Sequence, residues 1–247
     1  MSGTLYAVGV GPGAPDLLTL RAVRVLGKVP VILAAASPRN DASAALETAR
    51  PHLSPQARIL RLDFPMTREK AELRAAWRKA AQTTLAVLAG GEDAAFLTIG
   101  DPLIYSTFGY LLRTVRELAP ETPVEVIPGI TSFQATAART QTILCEGEQS
   151  LRILPGIRRG EDLAADLAGA DMAVILKAYR NFPAIARALA ATGRAEDALL
   201  ASHVERPGTE VRRGVSEEDA RPPYMSLILS GPSREAALAV DNKGGES

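Results

Sequence analysis

The chain of 247 residues carries 28 Lys and Arg residues against 28 Asp and Glu residues, so its formal net charge is zero. This balance excludes the overall positive field by which proteins hold nucleic acid or acidic membranes, and we expect neither as a partner. Apolar residues make up 47% of the chain and charged residues 23%, which is typical of a globular protein and excludes a disordered one.

The single cysteine, Cys145, excludes an internal disulfide, and the two histidines, His52 and His203, are too isolated to predict a metal site. We expect Cys145 to be buried as a small apolar residue. No run reaches the ~18 apolar residues of a membrane span, and the N-terminal segment is typical of a strand rather than a signal peptide. These features predict a cytoplasmic protein without a bound metal.

The first half of the chain alternates short apolar runs with helical patterns. Asp16 is placed to cap the first helix, and Thr67 to cap a long helix that ends at Gly90. Strands alternating with helices predict an α/β fold with a mainly parallel sheet, whose ligand site lies beyond the carboxyl ends of the strands. The predicted strands of this half are residues 5–10, 29–34, 59–62 and 94–99.

A proline-rich segment at residues 118–123 predicts a boundary between two α/β domains, 1–119 and 120–238, followed by a disordered tail at 239–247. Residues 210–214 and 225–229 have only a polar connection between them, which predicts a terminal hairpin. The other predicted elements of the second half are strands at 124–127, 151–154, 172–176 and 198–203, and helices near 131–140, 161–168 and 183–192.

Three loops that follow predicted strands combine glycines with polar residues. The first, in the segment GVGPGAPDLLTL, formally matches a dinucleotide fingerprint through Gly9, Gly11 and Ala14. Pro12 and Pro15 remove backbone donors from it, and no acidic residue ends the second strand, so the sequence argues against dinucleotide binding. The loop either brings its backbone close to a ligand or forms a tight structural turn.

The second loop, GDP at residues 100–102, ends a buried strand and places the Asp101 carboxylate at the rim of the sheet. It is either a ligand contact or a turn that caps a helix beginning near Ser106. The third loop, Pro-Gly ahead of Thr131 and Ser132, offers two hydroxyls, and either one serves as a helix N-cap or faces a ligand.

Cations near the ends of the later strands form a fourth feature, made of Lys177, Arg180 and Arg206. Each alone is typical of a solvated or ion-paired surface residue. Together they suit a ligand that carries several carboxylates.

Taken in chain order, these segments resemble the tetrapyrrole (corrin and porphyrin) methyltransferase family over residues 5–229. The motifs that carry the resemblance are GVGPGAPDLLTL, GDP followed by Tyr105-Ser106, and IPGITSFQATAAR. The later segments LKAYRNFP, VERPGTE and PYMSLIL are most similar to the members that methylate precorrin-2 at C-20. The chain departs from the family pattern at Ala14, where Asp is usual, and at Ile99, where Glu is frequent.

The resemblance implies two α/β domains with the active-site cleft between them, S-adenosyl-L-methionine as cofactor, a tetrapyrrole substrate such as precorrin-2, and a homodimer. The cofactor-binding residues that it implies are Pro12, Gly100, Asp101, Pro102, Ile104, Tyr105, Thr131, Ser132, Leu176, Lys177, Val204, Met225 and Ser226. The residues expected near the substrate and its carboxylates are Gly11, Gly13, Arg21, Arg39, Arg113, Arg139, Arg180 and Arg206.

Methyl transfer from a sulfonium to carbon is an in-line displacement, which depends on alignment and needs no protein nucleophile. The catalytic candidates are Asp101, as base or polarising group, and then Tyr105. Asp101 alternatively only orients the loop or the cofactor. Three functions stay open: C-20 methylation of precorrin-2 to precorrin-3A in cobalamin biosynthesis, methylation of cobalt-factor II or another ring position, and a non-catalytic tetrapyrrole-binding module.

Overall fold

The structure, a computed structural model, describes residues 2–36, 43–65, 67, 69–157 and 159–231. Arg39 and the tail predicted at 239–247 lie outside these ranges. The chain divides into two compact units, the first ending at Thr131 and the second beginning at Ser132. Within the described ranges, no helix is both long and apolar enough to cross a lipid bilayer.

The first unit is built on a five-stranded sheet in the order β3-β2-β4-β1-β5, in which every pairing is parallel. Its strands are β1 (Leu5–Gly9), β2 (Val31–Ala36), β3 (Arg58–Asp63), β4 (Ala94–Thr98) and β5 (Val124–Ile127). Its α-helices are α1 (Leu20–Leu26), α2 (Ala44–Ala49), α3 (Lys70–Ala89) and α4 (Phe108–Leu118).

The strands β1, β2 and β4 form this sheet's centre because they are apolar on both faces and nearly every residue in them is buried. Neighbouring residues of one strand enter separate apolar clusters: Leu33 and Phe96 pack on one face, and Ile32 and Leu97 on the other. The alternation of strands and helices thus predicted the parallel sheet of this half.

The proline-rich segment lies within the first unit. Arg116 at the end of α4 donates from Nη1 to the carbonyl oxygens of Pro120 (2.5 Å) and Thr122 (2.7 Å), which holds the turn into β5. β5 then joins the first sheet in parallel register beside β1. The division between the units therefore falls after the loop that follows β5 instead of at residue 119.

The second unit contains a mixed sheet in the order β6-β7-β10-β8-β9. Its strands are β6 (Leu151–Pro155), β7 (Met172–Leu176), β8 (Leu199–Ser202), β9 (Glu210–Arg213) and β10 (Ser226–Ser230). Its α-helices are α5 (Ser132–Thr140), α6 (Gly160–Ala168) and α7 (Phe182–Ala191). β6 is parallel to β7, whereas β10 is antiparallel to both β7 and β8.

The predicted hairpin of residues 210–214 and 225–229 is wrong. β9 pairs with β8, and β10 lies between β7 and β8. Burial gives the physical reason: all five residues of β10 are buried, as a central strand requires, whereas the polar sequence Glu-Val-Arg-Arg of β9 suits a sheet edge.

Two predicted helix caps and one predicted burial are also wrong. α1 begins at Leu20 with Thr19 as its N-cap, because Pro15 and Asp16 form a separate short 3-10 turn. The N-cap of α3 is Glu69, and the Thr67 hydroxyl accepts a hydrogen bond from the Glu69 N–H just ahead of it. Cys145 is exposed, since the polar segment that follows it is exposed throughout.

Candidate functional site

The carboxyl ends of β1, β4 and β5 lie side by side at one edge of the first sheet, and the three glycine-containing loops follow them. Backbone hydrogen bonds join the first two loops. The Val10 N–H donates to the Thr98 carbonyl (2.9 Å), and the Gly100 N–H donates to the Gly11 carbonyl (2.7 Å). The structure therefore brings together motifs that are about 90 residues apart in the chain.

Gly9 and Gly129 pack backbone against backbone at this edge. A Cβ atom on Gly9 would lie 2.6 Å from the Gly129 nitrogen and 2.7 Å from the Gly100 carbonyl oxygen, closer than the 3.0 Å that Cβ atoms tolerate. A Cβ atom on Gly129 would overlap the same oxygen. Both positions require glycine, because the backbones of the three loops meet here without room for a side chain.

The Asp101 carboxylate bridges the second and third loops. Its Oδ1 accepts a hydrogen bond from the Leu103 N–H (2.9 Å), and its Oδ2 accepts one from the Gly129 N–H (3.1 Å). Each oxygen therefore already serves a backbone donor. Of the two roles that the sequence left open for Asp101, this geometry favours orientation of the loops over proton abstraction.

The segment after Asp101 leads into α4 through a strained residue. Tyr105 adopts a left-handed conformation (φ 48°) and its side chain is exposed. Such a conformation is costly for a bulky residue and concentrates at functional sites. α4 begins at Phe108 with Thr107 as its N-cap, and the Ser106 hydroxyl accepts a hydrogen bond from the Phe108 N–H (2.9 Å) just ahead of the helix.

Thr98 is a candidate that the sequence reasoning missed. Its Oγ1 is buried at the end of β4 and has no hydrogen-bond partner among the described residues. A buried hydroxyl without a partner is unfavourable unless a ligand or water supplies one. The available signal was a polar residue closing an otherwise apolar strand just ahead of GDP.

A second group of predicted residues meets at one edge of the second sheet. Because β10 runs antiparallel to β7 and β8, its first residues lie beside their last: Leu227 is opposite Leu176, and Ser226 is opposite Ser202. This pairing brings together the predicted residues Leu176, Lys177, Val204, Met225 and Ser226.

This edge also carries strain and an unsatisfied hydroxyl. Lys177, His203 and Glu205 all adopt left-handed conformations, with φ between 51° and 58°. The Ser226 Oγ is buried and has no hydrogen-bond partner within the described part of the chain. Partial burial, followed by the charge of Arg180, lowers the pKa of Lys177.

Several of the predicted arginines in the described ranges have contacts within their own unit. Arg21 pairs with Glu125 (3.7 Å) on the first unit, and Arg139 pairs with Glu205 (3.7 Å) on the second. The Arg113 guanidinium lies over the ring of Tyr110, 5.1 Å from its centre. Arg206 is half-buried in the turn after β8.

The sequence profile of the Tetrapyrrole (Corrin/Porphyrin) Methylases matches residues 4–218 of this chain. The chain belongs to this family. The resemblance expected from the three glycine-containing motifs is thereby confirmed, and it extends over both compact units of this tetrapyrrole methylase.

Two relatives match this tetrapyrrole methylase over nearly its whole length. The cobalt-precorrin-2 C(20)-methyltransferase of Salmonella typhimurium is 37% identical over 239 residues, which cover 96% of this chain and 100% of that enzyme. The precorrin-2 C(20)-methyltransferase of a Sinorhizobium species is 36% identical over 237 residues, which cover 92% of this chain and 94% of that enzyme.

Solved structures of tetrapyrrole methylases share the fold. Cobalt precorrin-4 methyltransferase superposes with a TM-score of 0.73 at 19% identity, covering 92% of this chain and 94% of that one. Uroporphyrin-III C-methyltransferase from Thermus thermophilus, solved in complex with S-adenosyl homocysteine, gives a TM-score of 0.67 at 24% identity. The match covers 93% of this chain and 92% of that one.

Proposed function

We propose that this protein transfers the methyl group of S-adenosyl-L-methionine to C-20 of precorrin-2, giving precorrin-3A in cobalamin biosynthesis. The observation that carries the proposal is the similarity to two C-20 methyltransferases over more than nine-tenths of the chain. One of these relatives is named for cobalt-precorrin-2, so the cobalt-containing tetrapyrrole is the second candidate substrate.

The residues at both sheet edges fit S-adenosyl-L-methionine. The three glycine-containing loops meet closely at one of these edges, and the buried hydroxyls of Thr98 and Ser226 lack the partner that a polar ligand would supply. We assign the methionine part to Pro12, Thr131, Ser132 and residues 100–105, and the adenosine part to the edge at Leu176, Lys177, Val204, Met225 and Ser226. When bound, the cofactor supplies a methyl group on positively charged sulfur.

Alignment is the main task of this chain in the reaction, because carbon must approach the methyl group to about 3–3.5 Å along the C–S axis. Asp101 acts here as a positioning residue: its two hydrogen bonds hold the second and third loops in one arrangement. The proton that leaves C-20 after methylation is acidic enough for a weak base, and Tyr105 is the exposed candidate for contacting the ring there.

Product analysis tests the proposal. The purified protein is mixed without oxygen with S-adenosyl-L-methionine and either precorrin-2 or cobalt-precorrin-2, and the products are examined by mass spectrometry and NMR. One added methyl at C-20 of precorrin-2 supports the proposal, and the ratio of the two rates identifies the preferred substrate. Methylation of cobalt-precorrin-2 alone supports the second candidate instead. Protein that binds S-adenosyl homocysteine but methylates neither, or methylates another carbon, contradicts it.

The proposal also covers the oligomeric state of the protein and the residues that lie near the substrate. We expect a homodimer in the cytoplasm, and light scattering coupled to gel filtration measures its mass. The residues that we place near the substrate are Gly11, Gly13, Arg21, Arg113, Arg139, Arg180 and Arg206.

A further inference from the structure

Four residues form a cluster on the second unit, which we name the tyrosine–arginine cluster: Tyr179, Arg180, Arg221 and Tyr224. Tyr179 and Arg180 lie in the turn that follows β7, and Arg221 and Tyr224 lie in the segment that leads into β10. Since β7 and β10 are paired neighbours, these two segments leave the sheet at the same edge.

The other three side chains of this cluster all contact the ring of Tyr179. The Arg180 and Arg221 guanidinium carbons lie 5.6 Å and 5.7 Å from its centre, within the distance of a cation–π contact. The ring of Tyr224 packs against it at a tilt, with 5.0 Å between the ring centres. One aromatic side chain therefore organises two cations and a second aromatic ring.

Hydrogen bonds fix both guanidinium groups through their inner nitrogens. The Nε of Arg180 donates to the Tyr179 hydroxyl (2.8 Å), and the Nε of Arg221 donates to the Tyr179 carbonyl (2.6 Å). The terminal Nη atoms of both arginines have no partner among the described residues. These atoms form the fork with which arginine binds a carboxylate through two parallel hydrogen bonds.

The charge of the cluster is not balanced locally. Arg187, Arg212 and Arg213 of the same unit each contact a carboxylate, whereas Arg180 and Arg221 contact none within the described ranges. Both side chains are exposed and lie against one ring, so their charges repel each other, and the charge of Arg180 also repels that of nearby Lys177. An anionic ligand would relieve this repulsion and satisfy the free Nη atoms.

We propose that Arg180 and Arg221 together bind one carboxylate side chain of the tetrapyrrole, while Tyr179 holds both guanidinium groups in place. This inference rests on the proposed function, since the tetrapyrrole supplies the carboxylate. Leu176–Lys177 and Met225–Ser226, which we assign to adenosine, adjoin the cluster in both chain segments. The sequence alone had pointed to Arg180; the position of Arg221 depends on the pairing of β7 with β10.

The experiment compares the double variant R180A/R221A with wild type and with the control R187A/R213A. The control likewise removes two arginines of this unit, but these two belong to exposed ion pairs. Precorrin-2 binding is followed by absorbance under nitrogen, S-adenosyl homocysteine binding by calorimetry, and turnover by methyl transfer. We expect R180A/R221A to weaken precorrin-2 binding and raise its KM by about 10- to 100-fold. Its kcat and its affinity for S-adenosyl homocysteine should stay within about twofold of wild type.

Two further variants separate positioning from direct binding. Arg180→Lys keeps the charge and loses the fork, so we expect it to weaken precorrin-2 binding less than Arg180→Ala does. Tyr179→Phe keeps the ring and removes the hydroxyl that accepts from Arg180 Nε, so we expect a rise in KM of about threefold with unchanged kcat.

The inference is overturned, with the proposed function intact, if the wild type methylates C-20 and R180A/R221A binds precorrin-2 within twofold of it. A parallel loss of affinity for S-adenosyl homocysteine in that variant assigns the cluster a structural role and also overturns it. A wild type that binds the cofactor but neither binds nor methylates the tetrapyrroles overturns the proposed function itself, and the inference with it.

Discussion

Replacement of Gly9 by alanine should disrupt the meeting point of the three glycine-containing loops. The new Cβ would lie 2.6–2.7 Å from three backbone atoms of Gly129 and Gly100, about 0.7 Å short of ordinary contact. No flexible side chain can give way, so β1 must move from the loops after β4 and β5. Such overpacking costs roughly 1–3 kcal/mol, and weakening the bond from the Gly129 N–H to Asp101 adds about 1 kcal/mol.

We therefore expect Gly9→Ala to lower the free energy of unfolding by about 3 kcal/mol, which shifts a urea midpoint down by roughly 1–2 M. Trp77 is the only tryptophan of the chain and lies in α3, stacked on Tyr110 with 4.4 Å between ring centres. Its fluorescence therefore reports on the unit that contains the substitution. The same change should also weaken binding of S-adenosyl homocysteine.

The matched control is Gly109→Ala in α4, where the nearest atom to a new Cβ is the flexible Arg113 Nη1 at 3.9 Å. This substitution should raise stability by about 0.5–1 kcal/mol, because alanine is the better helix former. A Gly9→Ala midpoint within about 0.3 M of wild type would refute the steric reasoning. So would an equal loss of stability in the control.

Three further predictions concern single side chains. Asp101→Asn should lower the free energy of unfolding by about 1–2 kcal/mol and lower kcat/KM, because the new side-chain NH2 group would face a backbone N–H donor. The pH dependence of kcat should stay unchanged. Loss of a limb of that pH profile would instead identify Asp101 as a base. Arg194→Ala should lower the free energy of unfolding by about 3 kcal/mol, because the buried guanidinium donates hydrogen bonds to two main-chain carbonyls. Urea unfolding monitored by circular dichroism measures this, and a loss below about 1 kcal/mol contradicts it. Hydrogen bonds from the Ser150 N–H and hydroxyl lower the pKa of Asp171 in the folded protein below its ordinary 3.8. The stability that these hydrogen bonds add is therefore fully present above pH 3.8 and is lost as the pH falls through the lower pKa of the folded state. Asp171→Asn should flatten the decline in thermal midpoint below pH 4, and an unchanged acid limb would exclude this contribution.

Local patterns carried much of the information about this molecule. The apolar runs of β1, β4 and β7 and the glycine-containing loops are contiguous segments, so burial and backbone freedom can be inferred from each one separately. The order of the motifs was sufficient to predict the family that the sequence profile confirms. The parallel first sheet followed from alternation, because parallel neighbours need crossover connections.

Contacts between distant segments could not be inferred in the same way, because they depend on strand order and register. The polar sequence of β9 suits an edge strand and the apolar sequence of β10 a central one, but neither identifies β7 and β8 as the neighbours of β10. The insertion of β10 between them brings Arg221 onto the ring of Tyr179, 42 residues away. Likewise, the two hydrogen bonds of Asp101 became visible only once β5 was paired with β1, which puts the Gly129 N–H within reach of its carboxylate. Residue types and loop chemistry are local properties of this chain, whereas the partners of its charged side chains arise from how the strands assemble.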